Sequence, residues 1–151
     1  MRIFISGGTG FVGGAVARRL AGHELFVPSR HAAGAGGLPF SEDLAGQVAK
    51  VRPDVVINLL GIIRESPGAS FALVHEEYTR RLLAGARACG TAKFIQMSAL
   101  GAAPDAPSAY LRSKYAGEEA VRASGLPYAI FRPSFITGPG QKLRAELAAM
   151  A

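Results

Sequence analysis

The 151-residue chain has room for one domain with a sizeable core, residues 1–151, and not for a second. Its 49% hydrophobic and 19% charged content excludes a disordered polymer. The net charge of +6 comes from arginines set singly or in pairs (Arg18-Arg19, Arg80-Arg81), with no basic run or interleaved aromatics. This excludes nucleic acid as the expected partner and leaves solvated helix faces and a general pull on anionic ligands. The single cysteine, Cys89, excludes an intramolecular disulfide and any Cys/His metal spacing, and points to a reducing compartment.

Arg2–Ser6 reads as a short buried strand, and Val12, Val16 and Leu20 form the stripe of a helix over Val12–Ala21, stopped by Gly22. Between them Gly8, Gly10 and Gly13 give G-x-G-x-x-G, while Gly7, Gly10 and Gly13 give G-x-x-G-x-x-G. Glycines in that place permit a tight turn, bring backbone N–H groups close to a pyrophosphate, and leave the positive helix N-terminus facing the anion. Gly7, Gly8, Thr9, Gly10, Phe11, Val12 and Gly13 are therefore candidate dinucleotide contacts. A signal-peptide core is excluded because the glycines interrupt the apolar stretch, so a cytoplasmic location is expected.

The second strand is expected over Glu24–Pro28. It ends in Pro28-Ser29-Arg30-His31, about 20 residues past the glycines, where an NAD site carries an acid for the ribose 2′-hydroxyl. Arg30 in that place, with Ser29 as a second donor, favours NADP(H) over NAD(H). His31–Pro39 holds Gly34, Gly36 and Gly37, so the third strand should be very short or absent. A helix follows over Glu42–Val51, with Ser41 as N-cap and Glu42 and Asp43 in the first turn.

Val55–Leu60 should be the next strand, delivering Asn58, Leu59, Leu60 and Gly61 to the carboxyl edge of the sheet, where open α/β folds bind ligands. The apolar run Val55–Ile63 is about half the length of a bilayer span. Phe71, Val74, Tyr78 and Leu82 mark a helix over Phe71–Cys89 stopped by Gly90. His75 within it reads as a partly exposed helix residue, and Cys89 as a small buried filler.

Lys93–Ser98 is the fifth strand, with Ser98 at its end. Tyr110-Leu111-Arg112-Ser113-Lys114 opens a helix over Tyr110–Ala123, stopped by Gly125, so that Tyr110 and Lys114 share a face one turn apart. Tyr128–Arg132 is the last strand, followed by Pro133 and Ser134. A final helix over Leu143–Met150 carries Leu143, Leu147 and Met150 on one stripe, which needs the sheet, a second subunit or a further segment as partner. Alternating strands and helices imply an α/β fold, a Rossmann-type doubly wound parallel sheet flanked by helices, with the region after the last strand very short.

Taken together, these motifs resemble the short-chain dehydrogenase/reductase superfamily in its extended or atypical branch, over Met1 to about Gly140. Ile57-Asn58-Leu59-Leu60-Gly61-Ile62, Met97-Ser98-Ala99-Leu100-Gly101-Ala102, Tyr110-Leu111-Arg112-Ser113-Lys114 and Phe131-Arg132-Pro133-Ser134 are most similar to the group of the nucleotide-binding accessory subunit of respiratory complex I and its bacterial relatives. Sugar-nucleotide epimerases and reductases share the weaker parts of the pattern. The resemblance implies that Tyr110 donates or accepts the proton, Lys114 holds the nicotinamide ribose and lowers the tyrosine pKa, Ser98 orients the substrate oxygen, and Pro133 lines the cofactor.

It implies an NADP(H)-dependent oxidoreductase or epimerase acting on a hydroxyl or carbonyl group of an unidentified small molecule. The alternative it implies is a non-catalytic NADP(H)-binding subunit of a larger complex, peripheral at the inner membrane, and the length alone adds the alternative of a truncated inactive chain. A homodimer is one way for the last helix to bury its stripe, helix-mediated dimers being common in the superfamily it resembles, and association with a larger complex is the alternative. Extended members continue well past Arg132-Pro133-Ser134, and their later residues build the substrate pocket.

Overall fold

The computed structural model describes residues 1–30 and 37–139. Strands β1 (Arg2–Ser6), β2 (Glu24–Ser29), β3 (Gly37–Pro39), β4 (Val55–Asn58), β5 (Lys93–Met97) and β6 (Tyr128–Phe131) form one sheet in the order β3-β2-β1-β4-β5-β6. Every neighbouring pair is parallel, with Ile3–Ser6 of β1 registered on Val55–Asn58 of β4. The connections run outward in opposite directions from β1 and β4. The carboxyl ends of those two strands therefore flank the crevice in which doubly wound sheets hold ligands.

Helices cover both faces, which is why the strands read as apolar runs rather than alternating ones. Helix α1 (Phe11–Arg19) packs Val16, Ala17 and Leu20 against Ile3, Ile5 and Ile57. On the other face, α2 (Leu44–Val51), α3 (Tyr78–Cys89) and α4 (Ala109–Arg122) enclose Phe4, Val56 and Phe94 with Leu44, Val48, Leu82 and Val121. Each such side chain contributes about 1.5–3 kcal/mol by leaving water. Gly117 lets α4 approach the preceding helix: a Cβ there would sit 2.5 Å from the His75 carbonyl oxygen.

Several boundaries differ from expectation for local reasons. Helix α2 starts at Leu44 because the Asp43 side chain caps it, accepting from Gly46 N–H at 2.8 Å, while Ser41 Oγ accepts from Asp43 N–H one step earlier. Ser41 is thus not the N-cap, and Glu42 and Asp43 lie before the first turn. Helix α1 ends on Leu20 rather than Gly22, and α2 on Arg52, a non-glycine residue at φ 51°. Gly90 takes the left-handed C-cap of α3 as expected, whereas Gly125 lies beyond the α4 cap at Ala123. The third strand exists, but only as three residues.

The helix expected over Phe71–Cys89 is continuous in space but opens as a π-turn over Ala72–Glu77 before becoming α-helical at Tyr78. Cys89 is half-buried, its sulfur near the carbonyls of Ala86 and Val48. No helix among the described residues is long and apolar enough to cross a membrane. The helix expected over Leu143–Met150, and His31, lie outside the described residues.

Candidate dinucleotide and catalytic site

The glycine turn is built by contacts that exclude side chains. Gly7 sits at φ 74°, and a Cβ on it would lie 2.8 Å from the Leu59 backbone oxygen. A Cβ on Gly8 would strike Val27 Cγ1 at 2.6 Å, and one on Gly13 would overlap the Gly7 carbonyl oxygen. These three glycines let β1, β2, α1 and the strand-end loop after β4 close on one another. Gly10 differs, since a Cβ there meets only the Gly7 oxygen at 3.3 Å. It is the N-cap of α1 and supplies no side chain to the first-turn N–H groups, so these remain available to an anion.

Above the turn lies a cavity of about 410 Å³ bounded by Gly7, Thr9, Gly10, Ser29, Arg30 and Leu60. A second, of about 200 Å³, is bounded by Met97, Ser98, Tyr110, Lys114, Pro133 and Ser134. Leu59, Gly61 and Ile62 form a wall of both, so the two hollows make one cleft across the switch point between β1 and β4. A glycine turn on one side and a tyrosine–lysine pair on the other match the two ends of an extended dinucleotide. The residues present therefore fit that group. A further hollow, of about 710 Å³, lies on the sheet face that α1 packs against, bounded by Phe11, Val12, Val16, Leu20, Ile57 and Ile95, and it meets the cleft at Leu59 and Met97. Phe11 and Val12 border this hollow, and neither borders the two hollows of the cleft.

Asn58 lies beneath the cleft rather than in it. Its Oδ1 accepts from Ser6 Oγ at 2.7 Å and from Leu60 N–H at 3.2 Å, and its Nδ2 donates to Thr79 Oγ1 and Gln96 Oε1. With every polar atom used inside, Asn58 shapes the Leu59–Leu60 turn instead of contacting a ligand directly.

Lys114 is 3% exposed and donates from Nζ to the Met97 carbonyl at 2.8 Å. Burial brings its pKa down to about 8, and the neighbouring Glu118 carboxylate opposes the shift. Tyr110 is half-buried, and burial pushes its pKa up. The expected lowering of Tyr110 by Lys114 is thus not a property of the protein alone. The lysine ammonium is itself weakened by burial and engaged by Met97.

Ser98 shares the hollow, but its hydroxyl is buried and makes no hydrogen bond of full geometry. It lies close enough to Glu118 to help hold that carboxylate ionised. Burial alone would raise the Glu118 pKa; the bonds from Arg132 and Arg122, with the Ser98 hydroxyl close by, outweigh it, and the net shift is downward. Glu118 is fully buried one helical turn beyond Lys114, and Arg132 at the end of β6 clasps it.

His75 corrects the expectation of a partly exposed helix residue: it is 1% exposed, next to Tyr110 and Ser113. Burial and the charge of Lys114 lower its pKa to about 4. Neither His75 nor Glu118 was singled out by motif. The i+4 step from Lys114 to Glu118 was a usable signal for the second, and the i+4 step from Phe71 to His75 a weaker one for the first.

A parallel sheet of this order, a glycine cradle at its crevice and a Tyr-x-x-x-Lys pair across it define a dinucleotide-binding α/β protein. The family model for the NAD dependent epimerase/dehydratase family matches residues 3–151, and the chain belongs to that family.

Among curated proteins it is 32% identical over 161 aligned residues to the mitochondrial NADH dehydrogenase [ubiquinone] 1 alpha subcomplex subunit 9 of Arabidopsis thaliana, covering 92% of this chain and 39% of that protein. It is 40% identical over 87 residues to the ceramide reductase of Caulobacter vibrioides, covering 58% and 27% respectively. The chain thus spans well under half the length of these relatives.

Among solved structures, the Bordetella bronchiseptica enzyme WbmH in complex with NAD+ superposes with TM-score 0.78 at 19% identity, over 99% of this chain and 62% of that one. The dTDP-4-dehydrorhamnose reductase of Bacillus anthracis in complex with NADP superposes with TM-score 0.76 at 18% identity, over 99% and 60%. These two likenesses speak to the fold.

Proposed function

We propose that residues 1–151 form one dinucleotide-binding domain that holds NADP(H) across the two joined hollows, and that the chain acts as an oxidoreductase or epimerase on a hydroxyl or carbonyl group. The observation that carries this reading is the shared wall of Leu59, Gly61 and Ile62, which makes the glycine cradle and the Tyr110–Lys114 pair one cleft. Gly7, Thr9 and Gly10 would receive the pyrophosphate, Ser29 and Arg30 the adenosine ribose with its 2′-phosphate, and Lys114 the nicotinamide ribose.

A nicotinamide held by Lys114 through its ribose would supply hydride transfer to or from the substrate carbon. The chain's own task is the proton. The Tyr110 phenol gives it to, or takes it from, the substrate oxygen, and Lys114 provides the positive charge that favours the tyrosinate. Burial raises Tyr110 in the protein alone, so the free phenol is protonated at neutral pH, suited to donating in the reductive direction. The Ser98 hydroxyl must turn from Glu118 toward the cleft to orient a substrate oxygen.

A second reading is a non-catalytic NADP(H)-binding subunit, peripheral at a membrane within a larger complex. The inward burial of Ser98 favours it, and so does the 32% identity to a complex I alpha subunit. Titration with NADPH and NADH, followed by a carbonyl and sugar-nucleotide panel, separates the readings. Binding with turnover supports the enzyme, binding without turnover supports the subunit, and no binding by a folded chain removes both. A cytoplasmic location goes with the enzyme reading.

A further inference from the structure

We propose that His75 is a positioning residue for this cleft: it clamps the Gly61–Ile62 turn, the wall that both hollows share, to the first turn of α4 and so fixes where Tyr110 stands. The inference rests on reading the cleft as a dinucleotide site. Its geometry, however, is a set of hydrogen bonds present in the protein without a cofactor.

The imidazole is held at both nitrogens. Nε2 accepts from Ile62 N–H at 3.1 Å, so its lone pair is in use and the neutral ring carries its proton on Nδ1. Nδ1–H then donates to Ser113 Oγ at 2.8 Å, and Ser113 Oγ–H donates onward to the Tyr110 carbonyl at 2.7 Å. This is one directed chain of hydrogen bonds from the loop after β4 to the residue bearing the phenol.

The ring faces complete the clamp. Phe71 stacks on His75 at 5.6 Å between centroids, and Tyr110 meets both Phe71 and His75 edge-on at 5.8 and 5.5 Å. A Cβ on Gly61 would lie 3.7 Å from His75 Nε2 and 3.8 Å from Lys114 Nζ, so both side chains stand beside the shared wall. The π-turn over Ala72–Glu77 buries Val74 and His75 side by side, and Val74 also borders the larger half of the cleft. Such turns are rare in helices and are frequently found at functional sites.

The same geometry argues against His75 as acid or base. Both nitrogens are occupied, the proton cannot leave Nδ1 without breaking the Ser113 contact, and protonation of Nε2 would set two N–H groups against each other beside Lys114. A depressed pKa near 4, from burial and that lysine, agrees with a permanently neutral ring.

Imidazole nitrogen NMR shifts of the unmodified chain should report the Nδ1–H neutral tautomer of His75 throughout pH 5–8. His75→Leu should accelerate amide exchange at Gly61 and Ile62 while leaving the core amides of Phe4 and Val56 protected. It should also weaken NADPH about tenfold, the effect of one lost buried hydrogen bond. His75→Gln, which keeps an acceptor for Ile62, should recover most of both.

An Nε2–H tautomer, titration near 6.5, or His75→Leu with unchanged exchange at Gly61 and Ile62 would overturn the clamp. If the unmodified chain binds no NADPH, the dinucleotide reading fails while the tautomer and exchange results still decide the clamp. If His75→Leu does not fold, the tautomer and the glutamine variant decide it.

Discussion

Arg132 at the end of β6 reaches Glu118 in the middle of α4 with both arms of its guanidinium, Nε to Oε1 at 2.7 Å and Nη2 to Oε2 at 2.6 Å. Arg122 adds a third bond to Oε2 at 2.6 Å, so a fully buried carboxylate is held by two cations whose own side chains are nearly two-fifths exposed. This knot pins the Pro133–Ser134 edge of the cleft to the helix that carries Tyr110 and Lys114. Glu118→Gln would leave the arginines free to turn to water but would orphan a buried amide. The expected cost is about 2 kcal/mol, at the low side for a buried pair because the guanidiniums are partly solvated. Urea unfolding of the two proteins checks it, and an unchanged midpoint would show that the knot contributes nothing.

Acid should destabilise the chain in two overlapping steps. His75 has a folded pKa near 4 against 6.5, so between those values the unfolded chain binds a proton that the folded one refuses. Stability is therefore full above about pH 6.5 and falls by about 3 kcal/mol as pH drops to 4. Glu118 is shifted down, so its contribution is present above its ordinary value of 4.5 and is lost as pH falls below that through the folded pKa. Denaturant midpoints measured from pH 8 to pH 3 should follow this course, and His75→Gln should flatten the upper step alone. A flat profile between pH 6.5 and 5 in the unmodified protein would contradict the assignment.

The two glycines at the mouth and the root of the cradle should respond differently. Gly10 borders the cavity with only one neighbour near its missing Cβ, so Gly10→Val should leave the melting temperature close to that of the parent and abolish dinucleotide binding. Gly13→Ala drives a methyl group into the Gly7 carbonyl and should unfold or visibly distort the turn. Circular dichroism melts and NADPH titrations on both variants distinguish them. Retained binding in Gly10→Val would mean that the anion sits elsewhere.

Arg30 is exposed on the rim of the larger hollow beside Ser29. A charge-assisted bond to a 2′-phosphate is worth about 1.5–3 kcal/mol, roughly tenfold to a hundredfold in affinity. Arg30→Asp should therefore weaken NADPH by that factor and spare or improve NADH. Equal affinity of the unmodified chain for the two cofactors would leave Arg30 as a surface residue.

The fold was legible because its signals are local: apolar runs for β1, β2, β4, β5 and β6, and glycines where backbones touch. Five strands fall within two residues of expectation at each end, and the glycine turn lies where the pattern put it. What could not be read depends on which side chain a neighbour reaches first. Asp43 outcompetes Ser41 as a cap because its carboxylate spans to Gly46 N–H, and Asn58 turns inward because Ser6, Thr79 and Gln96 converge on it only after the sheet forms. For His75 and Glu118 the i+4 steps mark a shared helix face but not the burial, which is decided by partners 38 and 14 positions away.

Tyr110 offers the sharpest division between an enzyme and a binding subunit, because the first needs its hydroxyl and the second only its ring. The ring is held edge-on by Phe71 and His75, so Tyr110→Phe should keep its place and leave stability and NADPH affinity nearly unchanged. If the chain is an enzyme, turnover should fall by about 10² to 10⁴, the usual contribution of a positioned acid or base. Lys114→Met should lose turnover and NADPH affinity together, since its ammonium serves the ribose as well as the phenol. Because burial places the Lys114 pKa near 8, its charge in the free protein fades as pH rises through that value. NADPH affinity should weaken over the same range in the parent and stay level in Lys114→Met. Turnover by Tyr110→Phe at the parental rate would remove the phenol from the chemistry and leave the binding-subunit reading standing.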